Sequence, residues 1–354
     1  MNIPVANIYY LLLYAWDKLD VAPPVAAGVE DETELADLFA RLLIHGTRKL
    51  VRRGLDRSYS VRSEEVSSLR GQIDFIGSID RMAFQRGRAV CRFDELTTDV
   101  THNRILKATL RVLAKVKGLK SDHSHSLQHL YQRMPEVRDI MVRADTFREV
   151  QLHHNNRFYG YLLDICRVVL EQLIVNEEDG SVVFGDFRRD ERAMAYVFER
   201  FVFNFYRIEQ SEFEVTRETI NWDVEYLYGG GQTALPVMNT DTSLRSKHRT
   251  LILDTKYYQN TLQGRHTVHS ANIYQLFAYL KNLEARGGAD ARATGILLYP
   301  QVDRPVSMRC RIPGHEVLVK TVDLTQPWRG IHEALLELVK DGVDSPPVVS
   351  LVPV

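Results

Sequence analysis

Hydrophobic positions change rhythm several times along the chain, and each change marks an element. Residues 7–18 (NIYYLLLYAWDK) are almost continuously apolar, which predicts a helix with Asn7 as its N-cap, buried all round in this chain or against a partner. Beyond the loop formers Pro23 and Pro24, interleaved apolar and polar residues over 33–50 predict an amphipathic helix ending near Gly54. Its closing cations Arg48, Lys49, Arg52 and Arg53 suit the negative end of a helix dipole. From 58 to 96 the helical period disappears, and short β-favouring runs at 58–61, 71–76 and 89–93 predict a small sheet. Helical spacing returns at 103–117, 127–133 and 158–175.

Past about residue 185 the pattern changes. A helix at 191–207 precedes strand-like runs at 212–216, 224–228, 234–239 and 250–254, with Gly229, Gly230 and Gly231 as a turn. A helix at 271–284, strands at 295–299 and 317–322 and a final helix complete the chain. This predicts α/β and α+β architecture in two domains: a mixed domain of helices and a small sheet over 1–185, and a layered α/β domain over 186–354.

Composition narrows the class. A chain of 354 residues with 45% hydrophobic and 26% charged side chains is long enough for two cores and excludes disorder as its main state. The longest apolar run, residues 8–16, falls far short of the roughly 20 residues a bilayer span needs. Cys91, Cys166 and Cys310 are odd in number and widely separated, so they draw neither a disulfide framework nor a zinc motif. A soluble protein of the reducing cytoplasm is the expectation. The net charge of −1 hides an asymmetry: residues 1–40 hold seven acids and one base, whereas 41–120 hold 18 bases and 8 acids. Such a local excess reads either as a solvated face or as contact with nucleic acid.

The chemistry concentrates where the apolar run Leu251-Ile252-Leu253 ends in Asp254-Thr255-Lys256. On a strand, positions i and i+2 share a face, so Asp254 and Lys256 point together. Asp241 follows the strand-like run 235–239, and an antiparallel pairing would bring the two carboxylates together. Two aspartates, helped by the Thr255 carbonyl, supply the protein's share of oxygen ligands for Mg²⁺. The cation would acidify water and neutralise a phosphodiester, and Lys256 would orient that water or stabilise developing charge. Gln275, one turn into the next helix, could hold the water or the lysine, and Glu199 could reach the same metal. The Asp-x-Lys spacing also reads as a plain salt bridge at a strand end, and Glu199 as a solvated helix face. His123, His125 and His129, and the pair His153-His154, match no usual zinc spacing. No GxxxxGK[ST] loop occurs, so nucleotide hydrolysis would belong to a partner.

Residues 7–16 (NIYYLLLYAW), Arg70-Gly71-Gln72-Ile73-Asp74-Phe75, Asn103-Arg104-Ile105-Leu106-Lys107 and the set Asp241, Asp254-Thr255-Lys256, Asn272-Ile273-Tyr274-Gln275 together resemble the McrC family, the nuclease subunits of McrBC modification-dependent restriction systems. The catalytic half alone resembles the broader PD-(D/E)xK superfamily. The resemblance implies a Mg²⁺-dependent endonuclease with a restriction-endonuclease-like domain over 186–354 and a partner-docking domain over 1–185. It implies an McrB-like AAA+ GTPase hexamer as partner, double-stranded DNA with modified cytosine as substrate, room for contact between two copies of the chain, and no membrane. Asp241 and Asp254 carry over as metal ligands and Lys256 as the catalytic lysine, with Gln275 and Glu199 less directly. The first acidic motif departs from the family pattern, reading Asn239-Thr240-Asp241 in place of Pro-Asp. Two other functions fit the residues: a nuclease-like adaptor that stimulates the ring without cutting, and a stand-alone structure-specific nuclease.

Overall fold

A computed structural model describes residues 3–21, 34–153, 156–175, 181–225, 227, 235–258, 268–302 and 304–340. The expected Pro23-Pro24 loop, the glycine turn 229–231 and His154 lie outside them. The chain divides into two compact units, one of Met1–Thr33 with Asp186–Val354, the other of Glu34–Gly185. The expectation of a single domain over 1–185 is thereby corrected: the first 33 residues belong with the C-terminal half.

The reason lies in the first helix, Val5–Ala15. Ile8, Tyr9 and Leu11 to Ala15 are all buried, so the helix has no solvent face and must be enclosed. It packs on the long helix Glu191–Glu209, where Tyr14 meets Phe201 edge-on with ring centroids 5.6 Å apart, and Tyr10 stacks at 4.6 Å on Trp328 of the last helix, Trp328–Lys340. Tyr14 donates to Glu209 at 2.6 Å, and the Asn204 amide donates to the Tyr14 carbonyl at 2.8 Å. Asn7 is not the cap; Pro4 precedes the first turn, and the buried Asn7 amide donates to the carbonyls of Leu324 and Gln326.

In the same unit a six-stranded sheet runs in the order Ser307–Ile312, His315–Val322, Thr294–Pro300, Thr250–Thr255, Thr242–Arg245, Glu214–Thr216. Thr250–Thr255 is buried along its whole length, as its apolar run requires, and pairs parallel with Thr294–Pro300 and antiparallel with Thr242–Arg245. The crossover between the two parallel strands carries the helix Ser270–Glu284, whose Leu276, Leu280 and Leu283 pack with Ile252 and Leu297. Gly295 permits this approach: a Cβ there would lie 2.8 Å from the Leu276 side chain. Pro313 and Gly314, the latter at φ +90, turn Ser307–Ile312 back onto His315–Val322.

Two strand expectations change here. Val224, Glu225 and Leu227 form no strand, and among the described residues of the run 234–239, which begin at Leu235, only Met238–Asn239 pairs, with Thr219–Ile220 in a separate two-stranded ladder. The partner of the central strand is instead Thr242–Arg245, so Asp241 stands before its strand and not after it. Thr242 and Ser243 are buried with polar side chains, Ser243 meeting Thr240 at 2.9 Å, and that polarity hid the strand from a hydrophobic pattern.

The unit Glu34–Gly185 packs the helices Leu35–Arg53, Thr101–Leu113, Ser121–Gln132 and Arg157–Glu171 around Phe39, Leu43, Leu106, Leu110, Leu127 and Ile165. Ser58–Val66 and Ala89–Thr97 pair antiparallel over nine residues, with Gln72–Ile73 on the far side of the latter. The expected run 71–76 breaks at Asp74, whose carboxylate accepts from the Gly77 amide at 2.9 Å and caps the short helix Phe75–Asp80.

Asp99 ties this unit together, accepting from Arg104 Nε at 2.7 Å, Arg104 Nη2 at 2.9 Å and the Arg138 backbone at 2.9 Å. Burial pushes its carboxyl upward, but the arginine hydrogen bonds outweigh it and hold the group well below the usual carboxylate range. A depressed folded pKa stabilises above the unfolded value, about 3.8, and that stability disappears as pH falls through the folded value. The urea midpoint is therefore expected to drop between about pH 5 and pH 2, and Asp99→Asn to flatten that drop; equal acid sensitivity in the variant would refute the assignment.

Candidate active site

Asp254 and Lys256 stand at the carboxyl end of the central strand, beside the crossover to Thr294–Pro300, which is where open α/β sheets place their ligands. Parallel pairing continues one step past the strand, Lys256 N donating to the Leu298 carbonyl at 3.0 Å, and this fixes the backbone that carries the amine. Lys256 Nζ lies 2.7 Å from Asp254 Oδ2. Asp254 has 1% of its side chain exposed, and its Oδ1 meets no hydrogen-bond donor. Isolated burial of a carboxylate costs several kcal/mol. Burial accordingly pushes the Asp254 carboxyl up to about 7, with Asp241 and Glu199 adding to the rise and Lys256 opposing it. For Lys256 burial pulls downward, but the Asp254 carboxylate outweighs it and the ammonium is held above its ordinary value.

Asp241 reaches the same place from the neighbouring strand. Thr242 pairs with Leu253, so Asp241 stands one register step away, opposite Asp254. Its Oδ2 accepts from the Thr255 backbone at 2.8 Å and from the Thr255 hydroxyl at 2.9 Å. Thr255 thus locks Asp241 to the strand end through two donors. Glu199, on the long helix Glu191–Glu209, lies within the electrostatic reach of Asp241 and Lys256; burial and then Asp241 raise its carboxyl, against Arg217 and Lys256. It forms an ion pair with Arg217 at 2.9 Å.

Gln275 differs from expectation. It bonds neither Lys256 nor Asp254 and donates instead to the Tyr279 hydroxyl at 2.6 Å, which itself donates to the Asn239 carbonyl at 2.9 Å. That relay ties the crossover helix to the segment just before Asp241. Sequence reasoning missed Tyr279, although the i, i+4 spacing from Gln275 on one helix signals it. It also missed a buried triad in which Asn272 donates to Tyr299 at 3.0 Å and accepts from Tyr258 at 3.3 Å, pinning the chain two residues beyond Lys256.

Among the described residues no three His, Cys, Asp or Glu side chains are gathered into a ready-made ligand cage. The donor set nonetheless fits a hard divalent cation: an oxygen of Asp254 buried without a donor, a carboxylate of Asp241 with one oxygen free of protein bonds, and a carboxylate of Glu199 within the same field. Of the histidine cluster, His123 is committed to Asp37 at 2.9 Å. Several cations of the basic stretch are also spoken for, Arg62 by Glu95, Arg70 by Glu64 and Arg86 by Glu65. No helix among the described residues is long and apolar enough to cross a membrane.

Comparison with known proteins decides the family. The model for "McrBC 5-methylcytosine restriction system component" matches residues 10–300, a span that holds both aspartates, the lysine and the crossover helix. The chain belongs to the McrBC family. It is 32% identical over 339 residues to the type IV methyl-directed restriction enzyme EcoKMcrBC of Escherichia coli K12, covering 95% of this chain and 97% of that protein. It also matches a chain in a structure described as a refined half-complex from the tetradecameric assembly of Thermococcus gammatolerans McrB AAA+ hexamers with bound McrC. That match has a TM-score of 0.58 at 16% identity and covers 94% of this chain and 76% of the other. The second likeness carries the fold: the mixed α/β architecture is that of an McrBC family member.

Proposed function

We propose that this McrBC family chain is the Mg²⁺-dependent endonuclease subunit of a modification-dependent restriction complex, with a PD-(D/E)xK nuclease domain over 186–354. The observation that carries the reading is the buried Asp254 carboxylate, paired with Lys256 on one side and bare on the other, at a strand end that Asp241 also reaches. A buried carboxylate oxygen without a donor is a group that an ion or a water molecule can complete.

In this reading Asp254 and Asp241 hold Mg²⁺, with the Thr255 carbonyl and Glu199 as further ligands. When bound, the cation neutralises phosphodiester charge and lowers the pKa of attacking water. Lys256, kept protonated beside Asp254, orients the water or meets charge developing on the phosphoryl oxygens. Gln275 and Tyr279 position the segment before Asp241.

The partner is an McrB-like AAA+ GTPase hexamer, as in the related assembly, and the substrate is duplex DNA carrying modified cytosine. The exposed apolar side chains Phe75, Ile76, Ile79 and Met82 of the other unit offer the kind of surface that partner contact covers. The test is reconstitution: the chain, its AAA+ partner, GTP and Mg²⁺ should cut a methylated duplex, and omission of any one should stop cutting. Cutting by the chain alone with Mg²⁺ would favour the stand-alone nuclease, and no cutting with full GTPase stimulation would favour the adaptor.

A further inference from the structure

Arg217 acts with Lys256 on Glu199 among the described residues, and no motif pointed to it. It follows the edge strand Glu214–Thr216, which pairs with Thr242–Arg245 so that Thr216 faces Ser243, two residues from Asp241. Its guanidinium lies 2.9 Å from Glu199 and 4.8 Å from the centroid of the Phe203 ring, one helical turn further along the same helix. Its side chain is 40% exposed, so one side is held by protein and the other is open to solvent. Glu199 is the more enclosed member, and it feels Asp241 and Lys256 directly.

Asp241, Asp254 and Glu199 crowd negative charge around one ammonium. Glu199 can either neutralise Arg217 or turn to a cation held by the aspartates, and it cannot do both fully. Arg217 faces the same choice between Glu199 and an incoming phosphate, for which a planar guanidinium is well suited. The two choices are coupled through one ion pair.

We propose that the Glu199–Arg217 pair is a latch on the metal site: Arg217 holds Glu199 away from the cation until a DNA phosphate claims the guanidinium, whereupon Glu199 joins Asp241 and Asp254. Arg217 is then a positioning residue that contacts the substrate backbone and couples its arrival to metal affinity. This rests on the nuclease reading for the identity of the metal and the substrate, while the competition inside the pair can be measured without cleavage.

The experiment uses the full chain in two arms. In the first, MgCl₂ is titrated without DNA and followed by thermal shift. Arg217→Ala is expected to lower the half-saturating Mg²⁺ about fivefold, the size of a half-exposed ion pair, by freeing Glu199. The double variant Arg217→Ala with Glu199→Gln should lose that gain. In the second arm, binding of an unmodified duplex is measured in EDTA. Arg217→Ala should weaken binding with a shallower salt dependence, and Glu199→Gln should tighten it by releasing the guanidinium.

Opposite signs for the two single variants distinguish a competition from a merely structural pair, which would move both the same way. An unchanged Mg²⁺ midpoint in Arg217→Ala, a gain that persists in the double variant, or DNA affinities that move together would each overturn the latch. A wild-type chain without any Mg²⁺ response would overturn the nuclease reading and the first arm with it, and the DNA arm would still decide whether Arg217 and Glu199 compete.

Discussion

Asp254→Ala is expected to lower DNA cleavage by at least about 10³-fold while leaving stimulation of the AAA+ partner's GTPase unchanged. The magnitude follows from position: Asp254 is the most enclosed of the acids, it faces Asp241 across the ladder, and it holds the Lys256 ammonium at 2.7 Å. On the proposed function, removing it takes away a metal ligand and the partner that fixes the Lys256 ammonium. Alanine also leaves Lys256 partly buried without its counter-ion, so Asp254→Asn serves as the near-isosteric companion, preserving shape while removing charge. Lys256→Ala should match both in lost cleavage. Cleavage is read on a methylated duplex with partner, GTP and Mg²⁺, and GTPase rate on the same mixtures. Undiminished cutting by Asp254→Ala and Lys256→Ala would refute the site, and a parallel loss of GTPase stimulation would assign the residues to assembly instead.

The central strand was legible because three consecutive large aliphatic residues can be buried on both faces only in the middle of a covered sheet. Asp254 and Lys256 came with it, since a strand fixes the facing of i and i+2. Its neighbour was not legible in the same way. Thr242 and Ser243 are buried polar residues, Ser243 bonded to Thr240, and a scan for apolar runs chose the wrong stretch upstream, although Asp241 ends beside Asp254 from the other direction. Gln275 was placed on the right helix, but its bond to Tyr279 was not legible, because the relay through Tyr279 to the Asn239 carbonyl depends on how helix and sheet meet. Arg217 lies 18 positions from Glu199, and nothing local in a sequence pairs an edge-strand arginine with a helical glutamate.

The unit boundary shows the same principle at larger scale. The fragment 186–354 expressed alone is expected to lack a cooperative melting transition, and a fusion that restores residues 1–33 to it is expected to regain one. Val5, Ile8, Leu11, Leu12 and Leu13 are each at most 4% exposed, and at about 1.5 kcal/mol or more apiece their burial amounts to several kcal/mol. That is comparable with the roughly 5–15 kcal/mol by which a whole domain is stable. Without the first helix, Phe201 loses its contact with Tyr14, and the face of Glu191–Glu209 that carries it is opened to water. Glu199 stands on that same helix, so an unseated helix would also displace the Glu199–Arg217 pair. The apolar run at the start of the chain is thus a structural member of the unit that carries Asp241, Asp254 and Lys256. Thermal unfolding followed by circular dichroism decides the matter: a sharp transition for 186–354 alone, at the temperature of the fusion, would show that the first helix is dispensable for that core.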